Sequence, residues 1–206
     1  MGIDPYGGTP MLQVHALALG DYQTNCYIIH EETSKTCCVI DPGYASDRLL
    51  DKLEELGLTV EAVLLTHGHF DHVGGVKELA AEYGCKVYLH EADLSMPPMM
   101  TAGPLYHTHT YTEGTHLQLA GLDIAVLHTP GHTPGSVCLM ADTHIFSGDT
   151  LFAGSCGRTD LPGGDWATIR KSLARLKALE GNFWVYPGHG GVTTLRDEKK
   201  YNPYLR

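Results

Sequence analysis

The chain has 206 residues, of which 43% are hydrophobic and 18% are charged, a balance typical of a soluble globular protein. Its formal net charge of −10 argues against general binding to nucleic acid, because such binding depends on cationic side chains that meet phosphates. No apolar stretch is long enough to span a membrane, and the N-terminus lacks the pattern of a secretory signal. None of the six cysteines forms a C-x-x-C pair, so we expect reduced thiols and a cytoplasmic protein.

The first half of the chain alternates short strands with helices. Residues 1–10 are rich in Gly and Pro, so we expect a tag or a disordered N-terminus, followed by one domain over 11–206. Ser46 and Gly57 are suited to begin and end a helix. The apolar patterns predict strands and helices in the following order: strands at 12–19, 25–30 and 36–41, a helix at 46–56, a strand at 60–66, a helix at 75–83 and a strand at 85–90.

The second half repeats this organisation after an irregular segment. Residues 95–115 contain P-P, M-M and G-P, which predict a surface loop or flap. Beyond them the pattern predicts strands near 116–120, 122–128, 136–141 and 144–149, a helix at 165–180, a strand at 183–186 and a short C-terminal helix. Strands therefore dominate each half and helices follow. This order favours an α/β fold of the αββα sandwich type, with two central mixed β-sheets flanked by helices.

A dense group of polar side chains, T-H-G-H-F-D-H, occupies residues 66–72 directly after the apolar run V-L-L. Side chains alternate along an extended segment, so His67 and His69 point the same way and Asp71 follows two residues later. His72 adds a fourth side chain from the turn. Imidazole and carboxylate groups suit zinc, iron or manganese. Four ligands this close together cannot all reach one tetrahedral ion, so the motif predicts two neighbouring metals, one held by the first two side chains and one by the last two.

Three further candidate ligands share one context, a turn rich in Pro and Gly beyond a predicted strand. They are His132 in T-P-G-H-T-P-G, Asp149 in I-F-S-G-D-T and His189 in V-Y-P-G-H-G. Loops beyond strand ends commonly carry reactive residues, because the scaffold beneath them is rigid. The ligand count is complete if His132 joins the first metal, His189 joins the second, and Asp149 bridges both together with a hydroxide. The sequence therefore predicts two divalent metal ions, with zinc favoured over iron and manganese.

The order H-x-H-x-D-H followed by His, Asp and His resembles the metallo-β-lactamase superfamily over residues 67–189. Shorter motifs narrow the resemblance to the type II glyoxalases (hydroxyacylglutathione hydrolases), in particular their short single-domain bacterial branch. These motifs are T-N-C-Y (24–27), V-I-D-P-G (39–43), G-R-T-D-L-P (157–162) and Y-N-P-Y-L (201–205). The resemblance implies the metallo-β-lactamase fold and a dinuclear hydrolase of thioesters such as S-lactoylglutathione. Full-length members carry a C-terminal helical domain that helps to hold glutathione, so we expect part of that binding surface to be missing here.

The chemistry implied is hydrolysis by a metal-bridging hydroxide. Divalent ions lower the pKa of bound water from 15.7 towards about 7, which makes hydroxide available at neutral pH. A thiol leaving group, with a pKa of about 8.5, departs without a strong general acid. Asp71 has a second candidate role as the catalytic residue that orients the hydroxide, and Arg158 is a candidate cation for the substrate. The expected partner is a small-molecule thioester.

Other functions use the same motif. A persulfide dioxygenase of the superfamily shares the histidines and a G-R-T-D segment but uses one iron and oxygen; P-G-G at 162–164 favours the hydrolase. A lactonase is a further alternative. Asp149 disfavours a β-lactamase-type amidase, because the best-known zinc β-lactamases have Cys there, and His69 disfavours a flavin-linked diiron reductase, which needs a carboxylate. A non-catalytic metal-binding domain would have the complete ligand set without turnover.

Several polar residues outside the ligand set also need an interpretation. Asp41, in D-P-G, is expected to support the ligands or cap a turn. His107 and His109 form an H-x-H in the irregular segment, with no predicted strand before them, so we expect them on the surface. Cys156 lies close to the site in sequence, but no base neighbours it, so a nucleophilic role is not expected.

Overall fold

The computed structural model describes residues 11–206, which form two six-stranded mixed sheets with helices on their outer faces. The expectation of a tag or disorder over 1–10 lies outside the described residues. Each half of the chain supplies one sheet. This architecture confirms the predicted αββα sandwich.

The first sheet has the strand order β1-β2-β3-β4-β5-β6. Its strands are β1 Leu12–Leu19, β2 Thr24–Glu31, β3 Thr36–Ile40, β4 Thr59–Leu64, β5 Lys86–His90 and β6 His109–Tyr111. The helices of this half are α1 Asp47–Leu56, α2 Phe70–Val73, α3 Val76–Tyr83 and α4 Pro98–Thr101. The first three strands pair antiparallel, and β3 to β6 pair parallel. The three parallel pairs require crossover connections, which contain α1, then α2 and α3, and finally α4.

The second sheet has the order β14-β13-β10-β9-β8-β7. Its strands are β7 His116–Leu119, β8 Leu122–His128, β9 Val137–Ala141, β10 His144–Gly148, β13 Trp184–Pro187 and β14 Thr193–Thr194. A separate hairpin is formed by β11 Leu151–Phe152 and β12 Ser155–Cys156, and the helices are α5 Trp166–Ala178 and α6 Leu195–Tyr201. The only parallel pair among the described residues of this sheet is β10 with β13, and α5 makes the crossover between them.

Alternation along the strands builds three apolar layers. On β2, Tyr27 and Ile29 pack between the two sheets, whereas Cys26 and Ile28 lie in the outer layer with Leu49 of α1. This is the period of two expected for a strand with both faces buried. A third layer joins the outer face of the second sheet to α5 and α6. The sandwich is therefore a rigid support for the loops that leave its strand ends.

The ends of the helices agree with the sequence in most respects. Gly57 ends α1 with φ of 63°, a left-handed conformation that glycine adopts without steric cost. Ser46 occupies the N-cap position of α1 as predicted, but its side chain makes no capping hydrogen bond. Asp165 caps α5 by accepting a hydrogen bond from the backbone N–H of Thr168 at 2.7 Å.

The prediction of a loop throughout 95–115 is wrong in part. The segment contains α4, and β6 extends the first sheet by pairing parallel with β5. His109 lies on β6 and contacts the ring of Tyr88, with ring centroids 5.0 Å apart. The strand has only three residues, too few for a visible alternation of apolar and polar side chains. The Pro and Gly residues of the segment therefore favoured a loop. Within residues 11–206, no helix combines the length and apolarity needed to cross a bilayer.

Candidate metal centre

The seven predicted ligands converge at one edge of the sandwich, just beyond the ends of four strands. They come from β4 and the adjoining α2 in the first sheet, and from the loops after β8, β10 and β13 in the second. The seven are His67, His69, Asp71, His72, His132, Asp149 and His189. Asp71 and His72 lie in the helical turn α2, so the extended geometry assumed for the motif applies only to its first part.

A first triad consists of His67, His69 and His132, with one nitrogen of each lying within 4.8 Å of the others. His69 Nδ1 and His132 Nε2 are 2.9 Å apart. Two nitrogens that share a tetrahedral zinc, with bonds of about 2.0–2.1 Å, lie roughly 3.3 Å apart. The three rings therefore have the spacing of ligands to one ion.

A second triad consists of Asp71, His72 and His189. His72 Nε2 lies 3.3 Å from His189 Nε2, and His189 Nε2 lies 3.3 Å from Asp71 Oδ2. His72 Nε2 is 3.7 Å from the same carboxylate oxygen. These separations also match donors arranged around a common ion.

Asp149 lies between the two triads. Its Oδ1 is 3.5 Å from His72 Nε2, and its Oδ2 is 3.4 Å from His132 Nε2 and 3.7 Å from His189 Nε2. One carboxylate thus reaches members of both triads, which is the position that a bridging ligand requires.

Buried polar atoms without partners show that the pocket fits cations. Among the described residues, His67 Nε2 and Asp149 Oδ1 are buried in the site and make no hydrogen bond. An unsatisfied buried polar atom costs about 1–3 kcal/mol, so two of them in one cluster would be unfavourable without a further partner. Imidazole nitrogens and carboxylate oxygens are donors that suit zinc, iron and manganese.

Asp41 orients one histidine of each triad. Its Oδ2 accepts a hydrogen bond from His72 Nδ1 at 2.9 Å and another from the hydroxyl of Thr66. Because that hydroxyl donates to Asp41, it accepts from His67 Nδ1 at 3.1 Å. Both imidazoles therefore use Nδ1 for this support and point Nε2 at the site, where an ion would take the place of any proton on it. Asp41 also lies close enough to these rings to be grouped with them as a ligand, but its engaged oxygen makes it a supporting residue, as predicted.

Arg158 reaches the centre through its backbone. Its carbonyl oxygen accepts a hydrogen bond from His132 Nδ1 at 2.8 Å, which leaves His132 Nε2 available to an ion. Arg158 is among the residues that line the cavity, and its guanidinium donates two hydrogen bonds of 2.7 Å to the carboxylate of Asp160. The residue predicted to meet the substrate therefore lies at the cavity with its charge already paired.

Two rings of the first triad, those of His67 and His69, are neutral at physiological pH. Burial, reinforced by the neighbouring imidazoles, lowers the pKa of His67 well below its usual value and that of His69 to about 4. Neutral imidazoles have free lone pairs, so an ion can bind these rings without displacing protons.

The second triad is shaped by carboxylates. Burial would lower the pKa of His72, but Asp149, Asp41 and Asp71 outweigh it and raise the pKa to about 9. The hydrogen bond to Asp71 raises the pKa of His189. Burial opposes ionisation of Asp71, yet His189 and His72 hold its pKa below the usual value. The excess of negative charge here attracts cations, and a bound ion takes the place of protons.

The triads open into a cavity of about 570 Å³, a size suited to a small molecule. Asp71, Asp149 and His189 contribute to its wall together with His69 and His132. The remaining lining residues are Tyr22, Phe70, Met100, Phe152, Ser155, Cys156, Arg158 and Leu161. Most of these are apolar, so the cavity combines a polar, metal-suited floor with apolar walls.

The sequence patterns missed the polar residues that hold the ligand loops. The hydroxyl of Tyr27 donates to the carbonyl of Pro187 at 2.6 Å, and the amide of Asn25 donates to the same carbonyl at 3.0 Å. Both therefore fix the loop that carries His189. Asn25 and Tyr27 belong to the T-N-C-Y motif that carried the family resemblance, and that motif was the signal that could have revealed their role.

Close packing explains why a glycine, Gly188, precedes His189. A Cβ at this position would lie 2.2 Å from Asp149 Oδ1 and 2.7 Å from His72 Cε1. Any other residue would therefore push against the side chains of two predicted ligands. Glycine at this position allows the P-G-H-G turn to pack closely against them.

Comparison with known proteins agrees with this geometry. The family model of the metallo-beta-lactamase superfamily matches residues 19–189. The hydroxyacylglutathione hydrolase GloC of Haemophilus influenzae is 34% identical over 94% of this chain and 98% of its own. The crystal structure of the BLEG-1 B3 metallo-beta-lactamase is 35% identical, covers 95% of this chain and 99% of its own, and has a TM-score of 0.84. TTHA1623 in a di-iron-bound form is 39% identical, covers 93% and 100%, and has a TM-score of 0.82. The chain belongs to the metallo-β-lactamase superfamily.

Proposed function

We propose that this protein is a dinuclear metal-dependent hydrolase that cleaves thioesters, such as S-lactoylglutathione, to a hydroxy acid and a free thiol. The observation that carries the proposal is the pair of triads with Asp149 between them, at the floor of one cavity. The likeness to GloC, named a hydroxyacylglutathione hydrolase, supports the thioester class. Six free cysteines fit the reducing, cytoplasmic setting expected from the sequence.

The side chains have distinct roles in this proposal. His67, His69 and His132 would hold one ion, the second triad would hold the other, and Asp149 would contact both. Divalent ions bound there would supply Lewis acidity, which activates water at neutral pH and polarises a carbonyl. Zinc, iron and manganese all suit these donors, and the di-iron form of TTHA1623 supports iron as a candidate beside zinc.

Asp71 is the residue best placed to act on the attacking water. Its Oδ2 lies 3.3 Å from the hydroxyl of Thr24, which donates to it, and the residue lines the cavity. Because its pKa is held below the usual value, the carboxylate is ionised at neutral pH and can accept a hydrogen bond from water. A thiol with a pKa of about 8.5 leaves as thiolate, so no further acid is needed.

Arg158 is the candidate cation for binding an anionic substrate. Its guanidinium is bound to Asp160, so a substrate carboxylate would have to replace that carboxylate to gain a charge-assisted contact. The exchange takes place at the surface, where an ion pair contributes little, and so costs little free energy. We propose that Arg158 contacts the anionic part of the thiol half of the substrate.

The proposal is tested by metal analysis combined with a panel of thioesters. We expect about two ions per chain and turnover of hydroxyacyl thioesters, with glutathione and uncharged thiols compared directly. His69→Ala should lower turnover by orders of magnitude while the circular dichroism spectrum is unchanged. A protein that holds two ions but hydrolyses no thioester would contradict the proposal, and turnover unchanged in His69→Ala would remove this residue from the site.

The main alternatives give different results in the same assay. A persulfide dioxygenase would hold one iron and consume oxygen with glutathione persulfide. A lactonase or a β-lactamase would open cyclic esters or lactams faster than thioesters. Oxygen uptake and ring-opening rates measured on the same preparation therefore separate these activities.

A further inference from the structure

We propose that Asp93 is a positioning residue that sets the spacing of the first triad, an inference that rests on the proposed metal site. Asp93 lies in the 3-10 turn Glu91–Ser95 that follows β5. It is fully buried, with 0% of its surface exposed, and it is not among the candidate ligands. Within residues 11–206 its carboxylate forms no salt bridge, and a buried carboxylate without a cation requires another explanation.

The carboxylate of Asp93 accepts three hydrogen bonds. Its Oδ2 accepts from the backbone N–H of Gly68 at 2.8 Å and from the hydroxyl of Thr133 at 2.9 Å. Its Oδ1 accepts from the backbone N–H of Gly135 at 2.6 Å. Both oxygens are therefore engaged, and all the donors come from loops that carry proposed ligands.

These donors are adjacent to all three members of the first triad. Gly68 lies between His67 and His69, and Thr133 follows His132 directly. The first loop comes from one sheet and the second from the other, so a single side chain joins the two parts of the triad. The second triad receives no hydrogen bond from Asp93 within the described residues. Its effect should therefore fall mainly on the first ion.

The fit around Asp93 leaves no room for rearrangement. A Cβ on Gly135 would lie 2.7 Å from both Cγ and Oδ1 of Asp93, and a Cβ on Gly68 would lie 3.3 Å from its Cβ. An approach under 3.0 Å forces a displacement, so Gly135→Ala would move the carboxylate without removing it. The two glycines allow the loops to close onto this residue.

These donors require a side chain with two acceptor oxygens, which a carboxylate provides. Asparagine has one acceptor oxygen and one NH₂ group. In Asp93→Asn the NH₂ group would therefore point at an N–H or O–H group, and two donors would face each other without an acceptor. A buried donor left unpaired is unfavourable and would spread the two loops apart. Thr133→Val removes one of the three bonds, whereas Thr133→Ser keeps the hydroxyl.

The test is a zinc titration of the full-length protein, followed by the nitrogen-15 signals of the histidine rings. We expect Asp93→Asn and Gly135→Ala to weaken zinc binding at the first triad by about 10–100-fold, the usual effect of residues that support ligands. The signals of His72 and His189 should respond much as in wild type. Thr133→Val should have a smaller effect, and Thr133→Ser almost none. Asp123→Asn, at an exposed position paired with His116, is the matched control.

A metal-free measurement separates this inference from the proposed function. In the apoprotein, hydrogen exchange at the amides of Gly68 and Gly135 should be faster in Asp93→Asn than in wild type, while the β2 core amides are unchanged. If Asp93→Asn does not fold, the two Thr133 variants and Gly135→Ala provide the comparison. Zinc affinities and exchange rates equal to those of Asp123→Asn would overturn the inference. Wild-type protein that binds no pair of ions would instead refute the proposed function, and the exchange rates would still show whether Asp93 holds the loops.

Discussion

The pairing of the two proposed ions depends on Asp149. Its carboxylate oxygens approach His132 of the first triad and both His72 and His189 of the second. We expect Asp149→Ala to lose the paired site and most thioesterase turnover, since each triad alone offers only three ligands. Metal analysis after gel filtration measures this directly, with Asp123→Ala as the control. Full occupancy of both ions in Asp149→Ala would contradict the bridging role.

The cysteines provide a second test at the scale of residues. Five of the six thiols are buried, namely Cys26, Cys37, Cys38, Cys85 and Cys138. Cys156 is half-buried in the cavity wall, and burial raises its pKa, so its thiolate is scarce at neutral pH. We expect a thiol reagent at pH 8 to modify Cys156 slowly and the other five only after denaturation. Rapid reaction of several thiols in the native protein would show that the core is more open than described.

At the scale of elements, the β11–β12 hairpin depends on the C-terminal helix. Glu198 of α6 accepts hydrogen bonds from the backbone N–H of Gly154 at 2.8 Å and from the amide of Asn202 at 2.7 Å. The two N–H groups of the same amide are shared among Glu198 and the carbonyls of Phe152, at 3.3 Å, and Ser155, at 2.9 Å. Because Phe152 and Ser155 line the cavity, the Y-N-P-Y-L motif supports the cavity wall.

We therefore expect Asn202→Ala to affect substrate binding more than the metal centre. Loss of the amide leaves two hairpin carbonyls without this donor, a cost of about 1–3 kcal/mol that should loosen the wall. KM should rise several-fold, kcat should change less, and metal content should equal that of wild type. Steady-state kinetics and metal analysis measure these quantities, with the exposed Tyr201→Ala as the control. A fall in kcat together with a loss of metal would assign Asn202 to the stability of the centre instead.

Local sequence patterns predicted most helices and strands, because the buried face of each element requires apolar residues at a regular spacing. The alternation of Tyr27 and Ile29 with Cys26 and Ile28 is visible without a structure. The short elements α2, α4 and β6 and the β11–β12 hairpin contain two to four residues each, too few to show a period. Asp93 was missed for another reason: its partners lie 25 to 42 residues away, and nothing in H-E-A-D reveals them.

Across the whole molecule, each triad spans the two sheets. His67 and His69 extend from the first sheet, and His132 joins them from the second. The second triad divides in the same way, because Asp71 and His72 lie on α2, whereas His189 follows β13. Bound ions would therefore connect the two halves of the sandwich at one edge. Their binding free energy would add to the stability of the fold, because the unfolded chain has no preformed site.

Metal removal should consequently destabilise the whole protein. An ion at a thousandfold excess over its Kd contributes about 4 kcal/mol, and in a domain of this size each 1 kcal/mol shifts Tm by roughly 2–4 °C. Two such ions contribute about 8 kcal/mol, so we expect the apoprotein, prepared with a chelator, to melt roughly 16–32 °C below the metal-loaded form, and zinc to restore the difference. Melting followed by circular dichroism measures this, and a zinc-saturated chelator controls for effects of the reagent itself. Asp149→Ala, with its paired site lost, should show a smaller shift. Equal melting temperatures with and without metal would mean that the ions do not join the two sheets, and the interpretation of the triads as cross-sheet links would have to be withdrawn.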